Sequence, residues 1–293
     1  MYDIVGDVHG HADELEQLLQ KMGYRKKDGV YSHPSNRKAV FVGDYIDRGL
    51  KVRETLYIIK NMCDAGEAKA VMGNHEFNAL CYHTPDGKGG YLREHSDKNR
   101  KQHKETLEAF KNYEDEWNEF LEWFKDLPLY LDLDPFRVVH ACWDEEHIDW
   151  LDEHYSSATP EFLHAASDKT QKAYSVIEET LKGKEHTLPD GISFFDKDGH
   201  ERFDCRVKWW TNSEYRKTYD DVLMECPDAI SHDEINSSDT FYSHTGDKPV
   251  FFGHYWLKGL PELNHSKAVC LDYISCISVG RKWVGGWGVC VVK

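Results

Sequence analysis

The chain reads as an α/β protein, and three observations predict it. Short apolar runs alternate with amphipathic stretches of helical period, as packed sheet-and-helix layers require. Most runs end in a turn rich in glycine and polar residues, the pattern of strands feeding loops. With 293 residues, 40% hydrophobic and 13% aromatic, the chain can bury a sizeable core and is too apolar for disorder.

The first strand is expected over Tyr2–Asp7. After it, Ala12, Leu15, Leu18, Leu19 and Met22 share one helical face, and Gly23 sits where a C-cap belongs. A second strand, Ala39–Asp44, leads to a helix with Val52, Leu56, Ile59 and Cys63 inward, closed by Gly66. The third strand, Ala68–Met72, ends in Gly73-Asn74-His75-Glu76, and the fourth, Phe136–Val139, ends in His140. Between them Leu107, Phe110, Tyr113, Trp117, Leu121 and Phe124 recur at steps of three and four. This spacing predicts a long helical stretch with its aromatics in the core, stopped by Pro128. A helical segment thus spans about 77–130. Residues of about 144–205 are acidic and polar with weaker helical patterns, and read as an insertion packing beside or over the site. Strands return at Val250–Phe252, Ala268–Leu271 and Gly288–Val292. No repeat divides the chain, so 1–293 is read as one domain.

Charge narrows the function. Lys+Arg number 36 and Asp+Glu 52, a net charge of −16, which argues against a surface that grips nucleic-acid phosphates. A small nucleotide or phosphopeptide stays open, because bound cations reverse the sign locally. No apolar run is long enough to span a membrane. Eight scattered cysteines without a CxxC pair read as reduced thiols in a cytoplasmic protein. Asn236-Ser237-Ser238 and Asn264-His265-Ser266 match the glycosylation pattern by chance. Gly87-Lys88-Gly89-Gly90 lacks the spacing of a phosphate loop. The basic stretch Lys98-Asn99-Arg100-Lys101-Gln102-His103-Lys104 reads as a solvated face.

Five turns carry the chemistry. In order they are Gly6-Asp7-Val8-His9-Gly10, Gly43-Asp44-Tyr45-Ile46-Asp47-Arg48-Gly49, Gly73-Asn74-His75-Glu76, Val139-His140 and Gly253-His254. Loops beyond the carboxyl ends of strands are where ligands gather in an α/β sheet. Carboxylate and imidazole together suit Mn²⁺, Fe or Zn²⁺ better than Ca²⁺. Two such ions, about 3.5–4 Å apart, can clamp a phosphoryl group, and a carboxylate is the natural bridge. The other histidines have no ligand-like partners in sequence and read mostly as surface residues.

The ordered set, spanning Asp7 to His254, resembles the calcineurin-like metallophosphoesterases, in the branch of phosphoprotein phosphatases and diadenosine tetraphosphatase relatives, and has the look of a bacterial member. The resemblance implies a metallophosphoesterase fold: two mixed β-sheets packed as a sandwich, flanked by helices. It implies that Asp7 and His9 bind the first metal and that Asp44 bridges both. Asn74, His140 and His254 would bind the second. His75 would be the general acid, oriented by Asp47, and Arg48 would grip the phosphoryl oxygens. The implied mechanism is in-line attack by a metal-bridging hydroxide, with Mn²⁺ favoured and Fe or Zn²⁺ possible. Arg206 is the candidate for a second phosphate-binding arginine.

Substrate signals divide. Asp47-Arg48-Gly49 and Asn74-His75-Glu76 are similar to the phosphoprotein phosphatases, whereas Phe252-Gly253-His254-Tyr255-Trp256 looks more like the tetraphosphatases. His140-Ala141-Cys142 departs from the His-Gly-Gly of eukaryotic protein phosphatases. The reading is a serine/threonine-type phosphoprotein phosphatase first. Symmetrical hydrolysis of diadenosine tetraphosphate or another nucleotide is the alternative, and a non-catalytic metal-binding scaffold the remote one.

Overall fold

The computed structural model describes residues 1–195, 199–259, 267–274 and 288–289. Cys276, Cys290, the Asn264-His265-Ser266 tripeptide and positions 290–292 of the expected last strand lie outside these residues.

Two sheets form the centre. In the first, Tyr2–Val5, Lys38–Phe41 and Ala68–Ala70 pair in that order, all parallel. In the second, the order is Ala268–Cys270, Val250–Phe252, Arg137–Val139 and Tyr130–Asp132. Its first three strands are parallel and the last is antiparallel. The second sheet is therefore mixed as expected, but the first is parallel throughout its described strands.

Side-chain alternation explains why the sheets stack. On each strand successive residues face opposite sides. Ile4, Val40, Val138, Phe251 and Val269 enter one apolar cluster with Val42, Val71, Phe136 and Leu271. Their strand neighbours Val5, Ala39, Phe41, Val139, Val250, Phe252, Ala268 and Cys270 enter a second, larger cluster shared with the helices. The first cluster is the layer between the sheets and the second lies under the helices. Each fully buried Val, Leu, Ile or Phe contributes about 1.5–3 kcal/mol.

The helix Ala12–Met22 buries Ala12, Leu15, Leu18 and Leu19, and ends at Gly23 with φ 100°. The helix Val52–Asp64 buries Val52, Leu56, Ile59 and Met62 beside the strand Ala68–Ala70. The aromatic stretch is not one helix. It is Lys104–Phe110 and Glu114–Lys125, parted at Lys111-Asn112-Tyr113. Tyr113 leaves helical geometry at φ −138°, ψ 48°, and Glu114, Asp115 and Glu116 then supply the negative first turn that a new helix N-terminus favours. Phe110, Trp117, Leu121 and Phe124 are buried as predicted, and Phe120 joins them; Leu107 is only half-buried, and Tyr113, expected in the core, is exposed because it lies at the break between the two helices.

Residues 144–205 are more regular than their weak sequence pattern suggests. They contain three regular helices, Glu145–His154, Pro160–Ser167 and Lys172–Lys182. Ile148, Leu151, Leu163, Ala166, Val176, Ile177 and Leu181 lie in the large core. Each helix is short, so its periodicity extends over few turns. The helices pack together and against the helix Asn74–His83. A separate small core, with Leu188, Cys205, Val207, Tyr219, Val222, Leu223 and Ile230, follows them. No helix of the described residues is long and apolar enough to cross a membrane.

Candidate metal centre

The five turns converge. Parallel strands bring the loops after Val5, Phe41, Ala70, Val139 and Phe252 to one edge of the sandwich. Asp7, His9, Asp44, Asn74, His75 and His140 are all buried there. Several side chains hold left-handed backbone conformations that non-glycine residues rarely adopt: His9 at φ 45°, Asp44 at 55°, Asp47 at 67°, Arg48 at 63° and His254 at 75°. Strain of this kind gathers where a surrounding structure forces it, and functional sites are its usual place.

Asp44 is central. Its Oδ2 lies 3.5 Å from His9 Nε2, and its Oδ1 lies 3.4 Å from His140 Nε2. Asn74 Oδ1 lies 3.0 Å from His140 Nε2 and 2.8 Å from His254 Nδ1. Two groups of close ligand atoms result, His9–Asp44–His75 and Asp44–His140–His254, with Asp44 common to both. Asp7 joins the first side, its Oδ2 4.0 Å from His9 Nε2, and accepts the His254 backbone N–H at 3.2 Å.

The rings are oriented from behind. His9 Nδ1 is 2.9 Å from Ile46 O and His140 Nδ1 is 2.8 Å from Val42 O. Each ring must donate there, which turns Nε2 toward the carboxylates, the usual arrangement behind a metal-ligating imidazole. Glycines permit the crowding: a Cβ on Gly43, at φ 106°, would meet His140 Nδ1 at 2.7 Å, and one on Gly253 would collide with Asp7 Oδ1.

The charge state of the cluster fits a cation. Burial, with Arg48 next, pushes His9 well below its ordinary pKa; burial, with Arg206 next, does the same to His254. Both rings are thus neutral and offer lone pairs. Burial also disfavours the His140 imidazolium, but Asp44 outweighs it and raises the ring to about 10. The proton held there sits among oxygen and nitrogen donors, and a bound metal would displace it. Burial and Asp272 raise Asp7, another sign that the cluster lacks positive charge. The donor set, N and O with no sulfur, fits divalent transition metals. A third group, Asp144, His147 and Glu179, differs. The Lys184 ammonium already bridges Asp144 and Glu179.

His75 faces this centre. Its Nε2 is 3.9 Å from Asp44 Oδ2, and its Nδ1 is 2.5 Å from Asp47 Oδ2. Burial lowers the ring's pKa, but Asp44 and Asp47 together outweigh it and the net shift is upward. Arg48 lies with its guanidinium carbon 3.9 Å from the Trp256 ring centre. Arg206 ends the strand Asp204–Arg206, and its charge is felt at both His254 and Tyr255.

Four side chains here escaped the sequence reading. Glu76 accepts backbone N–H groups from Gly73 at 3.0 Å, Asp44 at 2.9 Å and Tyr45 at 2.8 Å, tying the second and third turns together. Asp272 accepts the Trp256 N–H at 2.9 Å, and burial raises its carboxyl to about 6. His103 is buried against Asp47, contrary to its expected place on a solvated face, and Thr106 bonds the same carboxylate. The rest of that basic stretch is as expected, since the helix Asp97–Gln102 buries no residue.

Comparison with known proteins agrees with this geometry. Residues 2–255 match the family model described as calcineurin-like phosphoesterase. A relative in Oceanobacillus iheyensis, named bis(5'-nucleosyl)-tetraphosphatase PrpE [asymmetrical], is 31% identical over 172 residues, covering 59% of this chain and 62% of its own. A protein of the same name in Halalkalibacterium halodurans is 46% identical over 74 residues, 25% of this chain and 30% of its own. The chain thus spans less than two thirds of the length of these relatives, and their name specifies asymmetrical cleavage where the sequence alternative was symmetrical. A solved cold-active protein tyrosine phosphatase aligns over 92% of this chain and 68% of its own, at 18% identity and a TM-score of 0.48. With its motifs assembled at one sheet edge and the family match running over most of its length, the chain belongs to the calcineurin-like phosphoesterases.

Proposed function

We propose that the chain is a dinuclear-metal phosphoesterase acting on a dinucleoside tetraphosphate or related nucleotide, cleaved to unequal products. The observation that carries the two-metal reading is the placement of Asp44 between His9 on one side and His140 on the other. Asp7, His9 and Asp44 would hold one ion, and Asp44, Asn74, His140 and His254 the other, with Mn²⁺ favoured and Fe or Zn²⁺ suited to the same donors. Bound there, the ions supply positive charge to the phosphoryl oxygens and lower the pKa of the attacking water.

The chain's own groups do the rest. His75, its pKa raised by Asp44 and Asp47, gives a proton from Nε2 to the leaving oxygen, while Asp47 on Nδ1 fixes the ring and balances its charge. Arg48, packed on Trp256, offers a planar fork to phosphoryl oxygens that lysine would not reproduce. Arg206 approaches from the His254 side as a second anion contact. Loss of less than about twofold in kcat/KM, ~0.4 kcal/mol, in Arg206→Ala would remove it from this role.

The names of the relatives support the nucleotide substrate. The Asp47–His75 pair favours the second reading, a phosphoserine or phosphothreonine peptide, whose alkoxide leaving group most needs a proton. A cytoplasmic location suits the nucleotide pool and the free thiols of Cys63, Cys81, Cys142, Cys205, Cys226 and Cys270. The test compares diadenosine tetraphosphate with a phosphoserine peptide at equal concentration on the Mn²⁺-loaded protein, with nucleotide products separated by chromatography. A preference of about a hundredfold, roughly 2.7 kcal/mol, for the dinucleotide with unequal products supports the proposal. The same preference for the peptide replaces it with the second reading.

A further inference from the structure

Beyond the ligand groups, one buried imidazole reaches the acid machinery from behind. The His103 side chain is 7% exposed, and its Nδ1 lies 2.8 Å from Asp47 Oδ1. The Thr106 hydroxyl donates to the same oxygen at 2.6 Å and accepts the Asp47 backbone N–H at 3.0 Å. The other carboxylate oxygen, Oδ2, belongs to His75. Asp47 therefore stands between two imidazoles, one facing the metal centre and one facing away. Burial pushes the Asp47 carboxyl up, but the bonds from His103 and His75 outweigh it and keep the group ionised. The His103 Nδ1 must then be the donor.

The other edge of His103 has a distinct setting. Its Nε2 is buried without a hydrogen-bond partner, and the ring lines a small pocket with Asn78, Tyr82, Arg93, Asn99 and Gln102. Arg93 ties the pocket wall together, donating to Asn78 Oδ1 at 3.1 Å and Gln102 Oε1 at 2.7 Å. Trp117 and Tyr82 pack against the His103 ring, with centroids 5.9 and 5.3 Å away. A polar ring buried with one nitrogen unsatisfied incurs a desolvation cost, and its one bond is to Asp47.

We propose that His103 is a positioning residue for the general acid. By holding Oδ1 together with Thr106, it fixes the plane of the Asp47 carboxylate so that Oδ2 stays on His75 Nδ1. Asp47 sits at φ 67°, and a carboxylate held by His75 alone could turn about its own side-chain bonds. The proposal rests on His75 being the acid, and a leaving-group series separates the two claims. A lost acid slows poor leaving groups far more than good ones, whereas general damage to the site slows both alike.

The experiment measures kcat and KM of the full, Mn²⁺-loaded chain on phenyl phosphates of graded leaving-group pKa, for His103→Phe, His103→Asn and the control His75→Asn. In His103→Phe, kcat is expected to fall about tenfold on phenyl phosphate and less than about twofold on a dinitrophenyl ester, with KM little changed. His103→Asn, whose amide can donate near the place of Nδ1, should recover most of the loss. An equal loss across the series, or none, overturns the role of His103. If His75→Asn itself shows no leaving-group dependence, the acid reading falls and this proposal falls with it. If His75→Asn shows it and His103→Phe does not, the proposal alone fails. Should thermal melting show His103→Phe unfolded, Thr106→Val is read by the same criterion: a steeper dependence supports the clamp and an unchanged one overturns it.

Discussion

Replacing Glu76 by glutamine tests how the second and third turns are joined. Glu76 is the third residue of the helix Asn74–His83 and reaches back to its N-cap, Gly73, while also accepting from Asp44 and Tyr45. It is fully buried, so no water can substitute. One carboxylate oxygen serves Tyr45 and, at a longer 3.4 Å, Ile46, and the other serves both Asp44 and Gly73. A glutamine must place its NH₂ group against one of these sets. The cheaper orientation sacrifices the Tyr45 bond and the weak Ile46 one and leaves a buried N–H unsatisfied, at a cost of about 1–3 kcal/mol. For a chain of this size that corresponds to a fall in Tm of roughly 2–12 °C, at about 2–4 °C per kcal/mol. Because the same bonds hold Asp44 at φ 55°, metal affinity should fall as well. Thermal denaturation followed by circular dichroism, with and without Mn²⁺, reads both effects. A Tm within about 1 °C of the parent, together with unchanged Mn²⁺ binding, would refute the assignment of Glu76 as the tie.

Arg48→Lys loses both the planar fork and the stacking on Trp256, so kcat/KM on an aryl phosphate should fall about tenfold or more while the fold melts normally. Gly43→Ala forces a Cβ against His140 Nδ1 and Gly73 Cα at a positive φ, and urea denaturation should show at least about 2 kcal/mol of destabilisation. Asp144 supplies a pH dependence away from the candidate metal centre. Burial raises its carboxyl, but the hydrogen bond and charge of Lys184 outweigh this and hold it below its ordinary value of 3.8. A folded-state pKa below the unfolded one stabilises above about pH 4, and that stability is lost as pH falls through the folded value. Urea midpoints measured from neutral to acid pH should therefore decline less steeply in Lys184→Met than in the parent protein.

The sheet-and-helix order was legible because burial imposes periodicity on the chain. Expected strands ran too long at Ala39–Asp44 and Ala68–Met72 for a physical reason. Val42, Val71 and Met72 remain buried after the paired strand segments end, so the apolar run outlasts the strand. The candidate metal centre was legible because its residues sit at strand ends, Asp7 and His9 after the first and Asp44, Asn74, His140 and His254 each after another. Residues that act behind the ligands carry weaker signals. Asp272 follows the apolar run Ala268–Leu271, the same pattern as the five turns, but has no glycine or histidine beside it. His103 is masked by Lys98, Arg100, Lys101 and Lys104, and it turns inward only because the chain changes direction there, between the helices Asp97–Gln102 and Lys104–Phe110. The break at Lys111-Asn112-Tyr113 was invisible for a related reason, since the apolar period continues across it.

Whether two metals share Asp44 can be read from Mn²⁺ titration of the metal-free chain. Phosphate release from an aryl phosphate would be followed alongside electron paramagnetic resonance of the bound ions. The predicted result is activity that rises with the second equivalent of metal, with a spin-coupled pair whose coupling is lost in Asp44→Asn. Full activity at one equivalent, or two uncoupled ions in the parent protein, would contradict it.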